Sequence, residues 1–544
     1  MQNMDRTRII FVAIVGLALV AVCVAGGIGI LQSRLGGSEP GVDGTAVAGS
    51  TPDARDTPAV TLESPEPIFG PEYDADDDLP TYICGADAFG SYFTLQQMQM
   101  SGKDVEHGFH LGIVPFFLDD DPAYDVSEEQ RNALLQSGQW DCLLTTLDAV
   151  ALDSPGVITA IVDESAGADQ LWGRDIENLN QLQDKRISFA RGSVGEYFMH
   201  YALSIARLNP RFDVTLVPQD SVSDAVNAFN EGQADAVSGW EPDIYDAEQS
   251  GGVPLLSSSQ LRIVIDVIVT SRQATAERAE VVQSFHDAWF DTLKQQLEDF
   301  DGAAQQIADW GHNDWSFVYP ETASDDLHAW LENVAQADLG DNAAVMRDPR
   351  PLVSRLEIAR RVWAAAGLDV PDDDAGELVE PGFVSRASQQ ANLAANGDPV
   401  NDTFSISAQI DLSTVGTEDA VTLAVLPCRR FSFLPDSTEL TLESRRILDE
   451  CVIPTMSQSV GLLLEVKGSA AWPENDPPYT EEEILEFAEA RAQSVVDYLV
   501  SQEIDEARFI VTATLPPEDH WETDDPAIQA EDRYVEMTLI TAGR

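Results

Sequence analysis

Short apolar runs alternate with amphipathic segments along residues 79–370. Apolar runs of about four to eight residues between turn residues are typical of buried strands, whereas apolar positions three and four apart are typical of helices. One such helix carries Val222, Ala225, Val226 and Phe229 on one face and begins at a Ser221 cap. This alternation predicts an α/β fold with parallel strands, followed by a mainly helical stretch up to about residue 366. The predicted strands span residues 81–84, 108–116, 141–146, 157–162, 186–190, 214–218, 235–238 and 263–270.

The last part of the chain has a different pattern. Thr480 and Glu483 form a capping box in front of a long amphipathic helix. The order β-α-β-α-β-β predicts a separate α+β layer. Its predicted strands are 429–433, 462–466, 508–514 and 534–540, and its predicted helices are 441–451 and 480–499.

Residues 9–31 carry no charge. As a helix rising about 1.5 Å per residue, this segment is long enough to cross a hydrocarbon core of ~30 Å. Arg6 and Arg8 precede it and Arg34 follows it, which favours an N-terminus on the cytoplasmic side. A cleaved signal peptide is the alternative, although its apolar region is usually only about 7–15 residues long. We therefore expect a single-pass anchor within 1–35 and an extracytoplasmic location, in the periplasm or on the outer face, for the bulk of the chain.

Two segments are rich in Gly, Pro, Ser, Thr and Asp and poor in large apolar residues. Such segments bury too little surface to fold, so 36–78 is predicted to be a disordered acidic linker and 371–420 a second linker. The chain is thereby divided into five parts. They are the anchor 1–35, the linker 36–78, a body 79–370, the linker 371–420 and a tail 421–544.

The chain is strongly acidic, with 94 Asp and Glu against 31 Lys and Arg and a formal net charge of −63. Binding to a nucleic-acid backbone depends on clustered cations, so no nucleic-acid partner is expected. Attraction to anionic lipid through basic patches is excluded on the same ground.

Several motifs of the body occur in a characteristic order. A Gly-x-x-Asp step between a predicted helix and a predicted strand is found at 138–141 and again at 232–235. Between them lies LQDKRISFARGS at 182–193, and IDVIVTS follows at 265–271. Over about 79–366, these motifs resemble the nitrate, sulfonate, taurine and thiamine-precursor-binding branch of the periplasmic solute-binding proteins.

The resemblance implies a type II-like periplasmic-binding-protein fold, with two α/β lobes around a cleft. Lobe I would comprise about 79–170 and 262–370, and lobe II about 171–261. Proteins of this kind clamp a small molecule by hinge closure and pass it to an ABC permease, which would be the partner here. No cofactor, no metal ion and no catalytic residue are expected, so the chain is not predicted to be an enzyme.

The ligand of such a fold lies at the carboxyl ends of the strands, where loops and helix N-termini converge. Ser193 either helps to bind an anion or is an ordinary helix cap, and both interpretations stay open. Trp240 either stacks on a ligand or packs between the lobes. The candidate ligand-binding residues are Asp87, Thr145, Thr146, Asp163, Ser165, Arg191, Ser193, Gly195, Glu196, Trp240 and Glu241.

The charge of the ligand stays open at the level of the sequence. Asp163, Glu196 and Glu241 favour an amine or another cation if they point into the cleft, but in so acidic a chain they are also expected on a solvated surface. Arg191 favours an acidic ligand instead, because a guanidinium group pairs with carboxylate-like anions.

The tail carries FSFLPDS at 431–437, ARAQSVVDYL at 490–499 and DRYVEM at 532–537. These motifs resemble the OmpA-like peptidoglycan-binding domain over about 421–541, and they imply wall contacts through Arg491 and Arg533. The family's Gly-His-Thr-Asp is replaced by Gly-Ser-Ala-Ala at 468–471, so the acid that helps to hold diaminopimelate is missing. Peptidoglycan and an envelope protein therefore both stay open as partners of the tail.

Cysteine positions agree with an oxidising compartment. Cys428 opens the first tail strand and Cys451 ends the antiparallel helix after it, so a disulfide between them is expected. Cys84 and Cys142 lie on strands predicted to be neighbours and are expected to be buried free thiols.

Together these features predict a membrane-anchored, extracytoplasmic solute-binding protein. It would capture a small molecule in an interlobe cleft, while its OmpA-like tail contacts peptidoglycan or an envelope partner. The alternative is an envelope protein with a structural or sensory role that uses the same folds for protein interaction.

Overall fold

The computed structural model describes residues 63–116, 118, 124–393, 421–458, 462–475, 477–502 and 504–541. The predicted anchor and residues 36–62 of the first predicted linker lie outside these ranges. The chain divides into the units Met1–Thr61 and Leu62–Arg544, and everything described below belongs to the second. Within the described ranges, no helix combines the length and the apolar character needed to span a bilayer.

Twelve strands lie in the first part of this unit, in two sheets. The strands are β1 Ile68–Phe69, β2 Thr81–Ala86, β3 His110–Pro115, β4 Cys142–Thr146, β5 Val157–Ser165, β6 Asp169–Gly173, β7 Arg186–Ala190, β8 Thr215–Gln219, β9 Ala236–Trp240, β10 Val253–Ser257, β11 Ile265–Thr270 and β12 Val334–Gln336.

One sheet has the order β1-β3-β2-β4-β11-β5-β12 and forms lobe I, and the other has the order β10-β6-β9-β7-β8 and forms lobe II. The chain crosses from lobe I to lobe II between β5 and β6 and returns between β10 and β11. The predicted two-lobed α/β fold of the periplasmic-binding-protein type is therefore confirmed over this part of the chain.

Helices cover the faces of both sheets, and their buried apolar stripes form the core. The α-helices are α1 Thr94–Met100, α2 Lys103–Glu106, α3 Glu128–Gln136, α4 Leu147–Asp153, α5 Val194–Ile205, α6 Val222–Asn230, α7 Ser258–Leu261, α8 Arg272–Glu277, α9 Ala279–Glu298, α10 Phe300–Asp309, α11 Asn313–Ser316, α12 Ala323–Leu331, α13 Leu339–Arg347, α14 Arg350–Ala366 and α15 Gly382–Ala387. Turns of 3₁₀-helix lie at Gly90–Phe93, Leu179–Leu182, Asp243–Ser250 and Ala375–Leu378.

The sheets are mixed rather than parallel, which corrects the prediction. The return strand β11 runs antiparallel to both β4 and β5, and β6 runs antiparallel to β9 and β10. The cause is the double crossing between the lobes, because a strand that comes back from the other lobe enters the sheet from the opposite end.

The first predicted linker ends too late in the sequence and the second begins too early, because residues at both boundaries pack on lobe I. Ser64 accepts a hydrogen bond from the Trp140 indole (2.9 Å), and β1 pairs with β3, so residues 63–69 are part of lobe I. At the other end, the Glu380 amide donates to the Ile158 carbonyl (2.9 Å). Phe383 is buried and stacks on His286. These contacts order segments whose composition alone suggested linkers.

The tail forms a third sheet with the order β13-β16-β14-β15, and its elements follow the predicted β-α-β-α-β-β order with one short extra helix. The tail strands are β13 Val421–Ser432, β14 Leu463–Ser469, β15 Phe509–Thr514 and β16 Tyr534–Thr541. Its α-helices are α16 Leu442–Ile447, α17 Ile453–Gln458, α18 Glu481–Ser501 and α19 Pro526–Asp532; a π turn at Leu448–Val452 joins the first two, and 3₁₀ turns lie at Glu506–Arg508 and Glu518–His520.

Gly468 allows the sheet of the tail and its longest helix to touch. A Cβ atom at this position would overlap the carbonyl oxygen of Ala488 in α18. Next to this contact, the helix buries Ile484, Ala488 and Val495 against the sheet. The predicted capping box is present, with Thr480 and Glu483 bonding to each other's backbone amides.

The tail contacts lobe II directly. The Asn180 side chain donates to the Val425 carbonyl (3.0 Å) and accepts from the Val425 amide (2.6 Å). Arg207 at the end of α5 donates to the Glu450 carbonyl (3.0 Å). Buried apolar residues of the lobes and of the tail form one continuous cluster.

The described part of the chain contains two disulfides. Cys428 and Cys451 are bonded, with Cα atoms 6.4 Å apart, which is the pairing expected from the tail topology. Cys84 and Cys142 are also bonded, with Cα atoms 4.6 Å apart. The expectation of free thiols there is wrong, because the two residues are direct partners in the register of β2 and β4.

Candidate functional site

A row of polar residues crosses the edge of the lobe I sheet from which the chain enters lobe II. Thr146 of β4 is paired with Asp266 of β11, Asp266 with Asp163 of β5, and Asp163 with Gln336 of β12. Direct partners on neighbouring antiparallel strands project to the same face of a sheet. The strand register therefore brings two aspartates together at the boundary between the lobes.

Asp163 has no solvent exposure, and among the described residues neither of its carboxyl oxygens has a partner of normal hydrogen-bond geometry, although the Asp266 carboxyl group lies close enough to affect its pKa. The Ser91 hydroxyl lies close enough to lower the pKa of Asp163, and it too is buried (1% exposed) without a partner of normal hydrogen-bond geometry. Ser91 belongs to the turn Gly90–Phe93, and in the same turn the Tyr92 hydroxyl donates to Asp266. Buried polar atoms are nearly always paired, so these groups are candidates for contact with a bound molecule.

A third carboxyl group comes from the first residue of lobe II. Asp169 opens β6, and its amide donates to the Ser258 hydroxyl (3.2 Å). Ser258 and Ser165 share a hydrogen bond of 2.7 Å, and Ser258 also accepts from the Gly167 amide (2.9 Å). The two serines thus hold the crossing segment and place Asp169 near Asp266, whose charge raises the pKa of Asp169.

Burial and mutual repulsion hold protons on these carboxyl groups. Burial raises the pKa of Asp163 to about 7 and that of Asp169 to about 7. Burial and the charge of Asp163 raise the pKa of Asp266 well above its usual range. We call Asp163, Asp169 and Asp266 the carboxyl cluster.

The lobes are in contact beside the carboxyl cluster. Tyr197 of α5 and Trp363 of α14 have ring centroids 5.7 Å apart, and the Trp363 indole donates to the Asp148 carbonyl (3.1 Å). Burial raises the pKa of Asp148 to about 8, and the charges of Glu128 and Asp169 contribute to the rise. Carboxyl groups therefore continue from the cluster along the interface between the lobes.

Glu128 of lobe I faces the loop before α5. A Cβ atom on Gly192 would lie 3.2 Å from Glu128 Oε2, and the positive φ of Gly192 (69°) itself favours glycine. The Gly192 amide donates to Glu196 Oε2 (2.7 Å). Burial raises the pKa of Glu128 to about 7, with smaller contributions from Asp153 and Glu196. Two acids from opposite lobes thus approach each other here.

Arg131 of α3 is a guanidinium group near the cleft, but it is already engaged. It lies over the Phe116 ring (3.8 Å to the centroid), and its Nε donates to the Val126 carbonyl (2.7 Å). Burial lowers its pKa, and the charges of Asp87 and Glu128 oppose that shift. Asp87 also raises the pKa of Asp266, so this predicted residue acts electrostatically on the carboxyl cluster.

Four of the predicted residues lie in lobe II, and one of them, Trp240, is the direct register partner of Asp169. Arg191 is exposed, and Ser193 caps α5 by accepting from the Glu196 amide. Gly195 packs against the backbone of Gly239, 3.3 Å from its would-be Cβ. Trp240 is half-buried against the apolar core of lobe II. The cap alternative therefore describes Ser193, whereas Trp240 packs within lobe II rather than between the lobes, and its stacking on a ligand stays a prediction.

The other predicted residues lie at the lobe boundary. Glu241 follows β9 and accepts from the Asn333 side chain of lobe I (2.6 Å) and from the Tyr245 hydroxyl. Thr145 precedes Thr146 and pairs with Val267, so its side chain projects to the other face of the sheet. Glu241 thereby links the two lobes, whereas Thr145 points away from the carboxyl row.

Sequence reasoning missed Tyr92, Asp148, Asp169, Asp266 and Glu128. An acid inside the apolar strand Ile265–Thr270 was a usable signal for Asp266, because an unpaired acid is rare in a buried strand. Tyr92 gave no signal, since a tyrosine among apolar residues is indistinguishable from a core residue.

The tail has a candidate site formed by arginines, whose charge is opposite to that of the carboxyl cluster. Arg491 of α18 is buried and donates to the carbonyls of Ser437 (3.1 Å) and Ser469 (3.0 Å). Burial, and then the charge of Arg533, lowers its pKa to about 10. The Nε atom of Arg533 is buried and has no partner. Two guanidinium groups thus lie near each other, which suits a bound anion.

The comparisons with known proteins found similarity to solved structures only. No protein-family model matches the sequence, and no curated protein matches it. The chain is similar in structure to the alkanesulfonate-binding protein SsuA from Xanthomonas axonopodis pv. citri (18% identity, 56% of this chain and 99% of that chain, TM-score 0.41). It is also similar to the aliphatic sulphonate binding protein SsuA from Escherichia coli (14% identity, 55% and 92%, TM-score 0.42). A third similar structure is the periplasmic nitrate-binding protein NrtA from Synechocystis PCC 6803 (12% identity, 60% of this chain and 92% of that chain, TM-score 0.42). Likenesses this distant say nothing about the ligand of this chain.

Proposed function

We propose that this chain is a solute-binding protein that captures a small molecule between its two lobes. The observation that carries the proposal is the set of unpaired polar groups where the chain crosses between the lobes. Asp163 and Ser91 are buried without partners on the lobe I side, and Asp169 approaches from lobe II. A ligand that bonds to both sides would hold the lobes closed.

The location that we propose is extracytoplasmic, with one N-terminal helix in the membrane. The uncharged segment 9–31 supports the anchor. The two disulfides, one in lobe I and one in the tail, support an oxidising compartment. We propose an ABC permease as the partner that receives the solute from the two lobes.

The tail is proposed to be an OmpA-like domain that contacts peptidoglycan. Its support is the pair Arg491 and Arg533, which present guanidinium groups that a wall carboxylate could approach. Ala471 stands where the family has its acid. A contact with an acidic envelope protein is therefore the alternative use of the same arginines.

We further propose that the captured molecule leaves unchanged. Around the unpaired groups, the Tyr92 hydroxyl bonds to Asp266 and Ser165 bonds to Ser258, an arrangement suited to holding a ligand. Recovery of the same compound by mass spectrometry after prolonged incubation is the expected result; a new product that disappears in Asp163→Asn would show an enzyme.

The experiment that tests solute capture is a thermal-shift screen of the full-length chain in detergent. A ligand at 100 times its Kd stabilises the folded state by about 2.7 kcal/mol, which gives a readable shift in Tm. A hit that Asp163→Asn weakens supports capture at the cleft. A folded chain that responds to no compound favours the second candidate, an envelope protein with a structural or sensory role, for which the direct contact between tail and lobe II is the supporting observation.

A further inference from the structure

We propose that the ligand is a small organic cation, an amine or a guanidinium compound, held by Asp163, Asp169 and Asp266. This inference rests on the proposed capture of a solute and names its chemical class. Its basis is geometric, since the strand register and the serine-held crossing bring three carboxyl groups together from both sides of the lobe boundary.

The acceptor capacity of this site is unused. Both oxygens of Asp163 lack partners, and a carboxyl group offers about four acceptor positions. The neighbouring Ser91 hydroxyl is a second buried group without a partner. An ammonium or guanidinium group presents three to five N–H donors, which is what such oxygens require.

Among the residues that the structure describes, the arginines nearest to the cluster are engaged with other groups. Arg131 is held by the Phe116 ring and the Val126 carbonyl. Arg262 lies 3.7 Å from Glu164, whose side chain projects to the opposite face from Asp163 because neighbouring strand residues alternate. The charge that balances the cluster must therefore be a proton or a ligand.

An anionic ligand fits this site poorly. It would meet three acids, and Arg191, the candidate anion partner, is exposed elsewhere in lobe II. A metal ion is also a poor fit, because no group of three or more His, Cys, Asp or Glu side chains among the described residues could hold one. An organic cation with several N–H donors is attracted by the three acids and does not require a set of metal ligands.

Binding of a cation should release protons. The groups that face Asp163 are the hydroxyl of Ser91, the Tyr92–Asp266 pair and the acid Asp169, and the charge of Glu164 acts on Asp163 from the other face of the strand. Since burial holds the pKa of Asp163 and of Asp169 at about 7, the empty site is protonated below that pH. Affinity should then rise by up to about tenfold per pH unit for each displaced proton, and level off above the pKa.

The test uses the full-length chain in detergent and two sets of probes. The cations are agmatine, putrescine and guanidinium; the anions are methanesulfonate and nitrate. Thermal shift finds a binder, and calorimetry in two buffers of different ionisation enthalpy counts the protons released. The variants are Asp163→Asn and, as a matched control, Asp220→Asn, which neutralises an exposed acid of lobe II.

We expect a cation to bind with proton release. Asp163→Asn should weaken that binding by about ten- to hundredfold and Asp220→Asn should leave it unchanged. Binding of methanesulfonate or nitrate that Asp163→Asn does not alter would overturn the cation assignment while solute capture stands. Silence toward both sets of probes by a folded chain would overturn the assignment and weaken the proposed capture as well.

Discussion

The buried carboxyl of Asp163 shows how one residue can both destabilise a fold and prepare a site. An unpaired group in a dry environment raises the free energy of the empty protein, since it has lost its water without gaining partners. A ligand that bonds to it recovers that free energy on binding. Neither the burial nor the missing partners could be predicted from the sequence, although Asp163 itself was predicted, because they depend on how β11 and the turn Gly90–Phe93 close over it.

The stability of the empty protein should depend on pH because of these residues. The pKa of Asp163 and of Asp169 is about 7 in the folded protein, far above the usual range of an unfolded aspartate near 3.8. The folded state therefore binds more protons between those values, so the free energy of unfolding should fall as the pH rises from about 5 to 8. Urea unfolding at several pH values measures this.

Asp163→Asn should reduce that pH dependence and raise the free energy of unfolding at pH 8 by about 1–3 kcal/mol, since a neutral amide replaces a buried charge. Asp220→Asn is the control for the large net charge of the chain, because it removes one exposed charge. An equal effect of both variants would contradict a special role of Asp163.

Arg491 gives the residue-scale prediction for the tail. Its guanidinium is buried beside Arg533, so its removal should weaken binding of an anion at that site. Arg491→Ala should lower retention of the chain on purified sacculi by about tenfold or more, and Arg491→Lys should restore part of it. Arg430→Ala, at an exposed arginine of the same domain, is the control. Equal retention of all variants would show that the tail does not hold the wall through Arg491.

Among the elements, strands bounded by clear turn residues were predictable and short strands were not. β7 was predicted with the bounds that the structure has. β6 and β12 were missed because Asp169–Gly173 mixes polar with apolar residues and Val334–Gln336 is too short to show a period. Such strands owe their form to the neighbours they pair with, which the local sequence does not contain.

Gly468 allows an element-scale prediction. Gly468→Ala would force β14 away from α18, because the new Cβ overlaps the Ala488 carbonyl. Overpacking of this kind usually costs about 1–3 kcal/mol, so the tail should unfold at a lower urea concentration. Gly376→Ala in lobe I is the matched control, since its nearest atom is a side-chain oxygen of Asp374 at 3.2 Å. Intrinsic fluorescence and circular dichroism follow the transitions; an unchanged tail would show that the helix can shift at no cost.

At the scale of the whole molecule, the tail packs against the two-lobed body and is not an independent domain on a flexible linker. Residues 371–393 pack on lobe I, and the first tail strand is bonded to Asn180 of lobe II. The sequence suggested a long flexible connection because its composition is polar. It could not show that a single side chain forms two hydrogen bonds to the backbone of a distant strand.

Asn180→Ala should loosen the tail from lobe II while both remain folded. The Val425 amide loses its acceptor, so its hydrogen exchange should accelerate. Asn227→Ala, at an exposed position of α6, is the control. Identical exchange in all three proteins would mean that the apolar contacts alone hold the tail in place.

The contact between Asn180 and Val425 has a mechanical consequence. The chain enters the folded unit through lobe I, where Ser64 and β1 are fixed, whereas the tail is seated on lobe II. If the proposed anchor and the proposed wall contact exist, tension between membrane and wall would be carried across the two segments that join the lobes and would pull the lobes apart. A bound solute would then resist stretching of the envelope, and solute release would respond to load as well as to concentration.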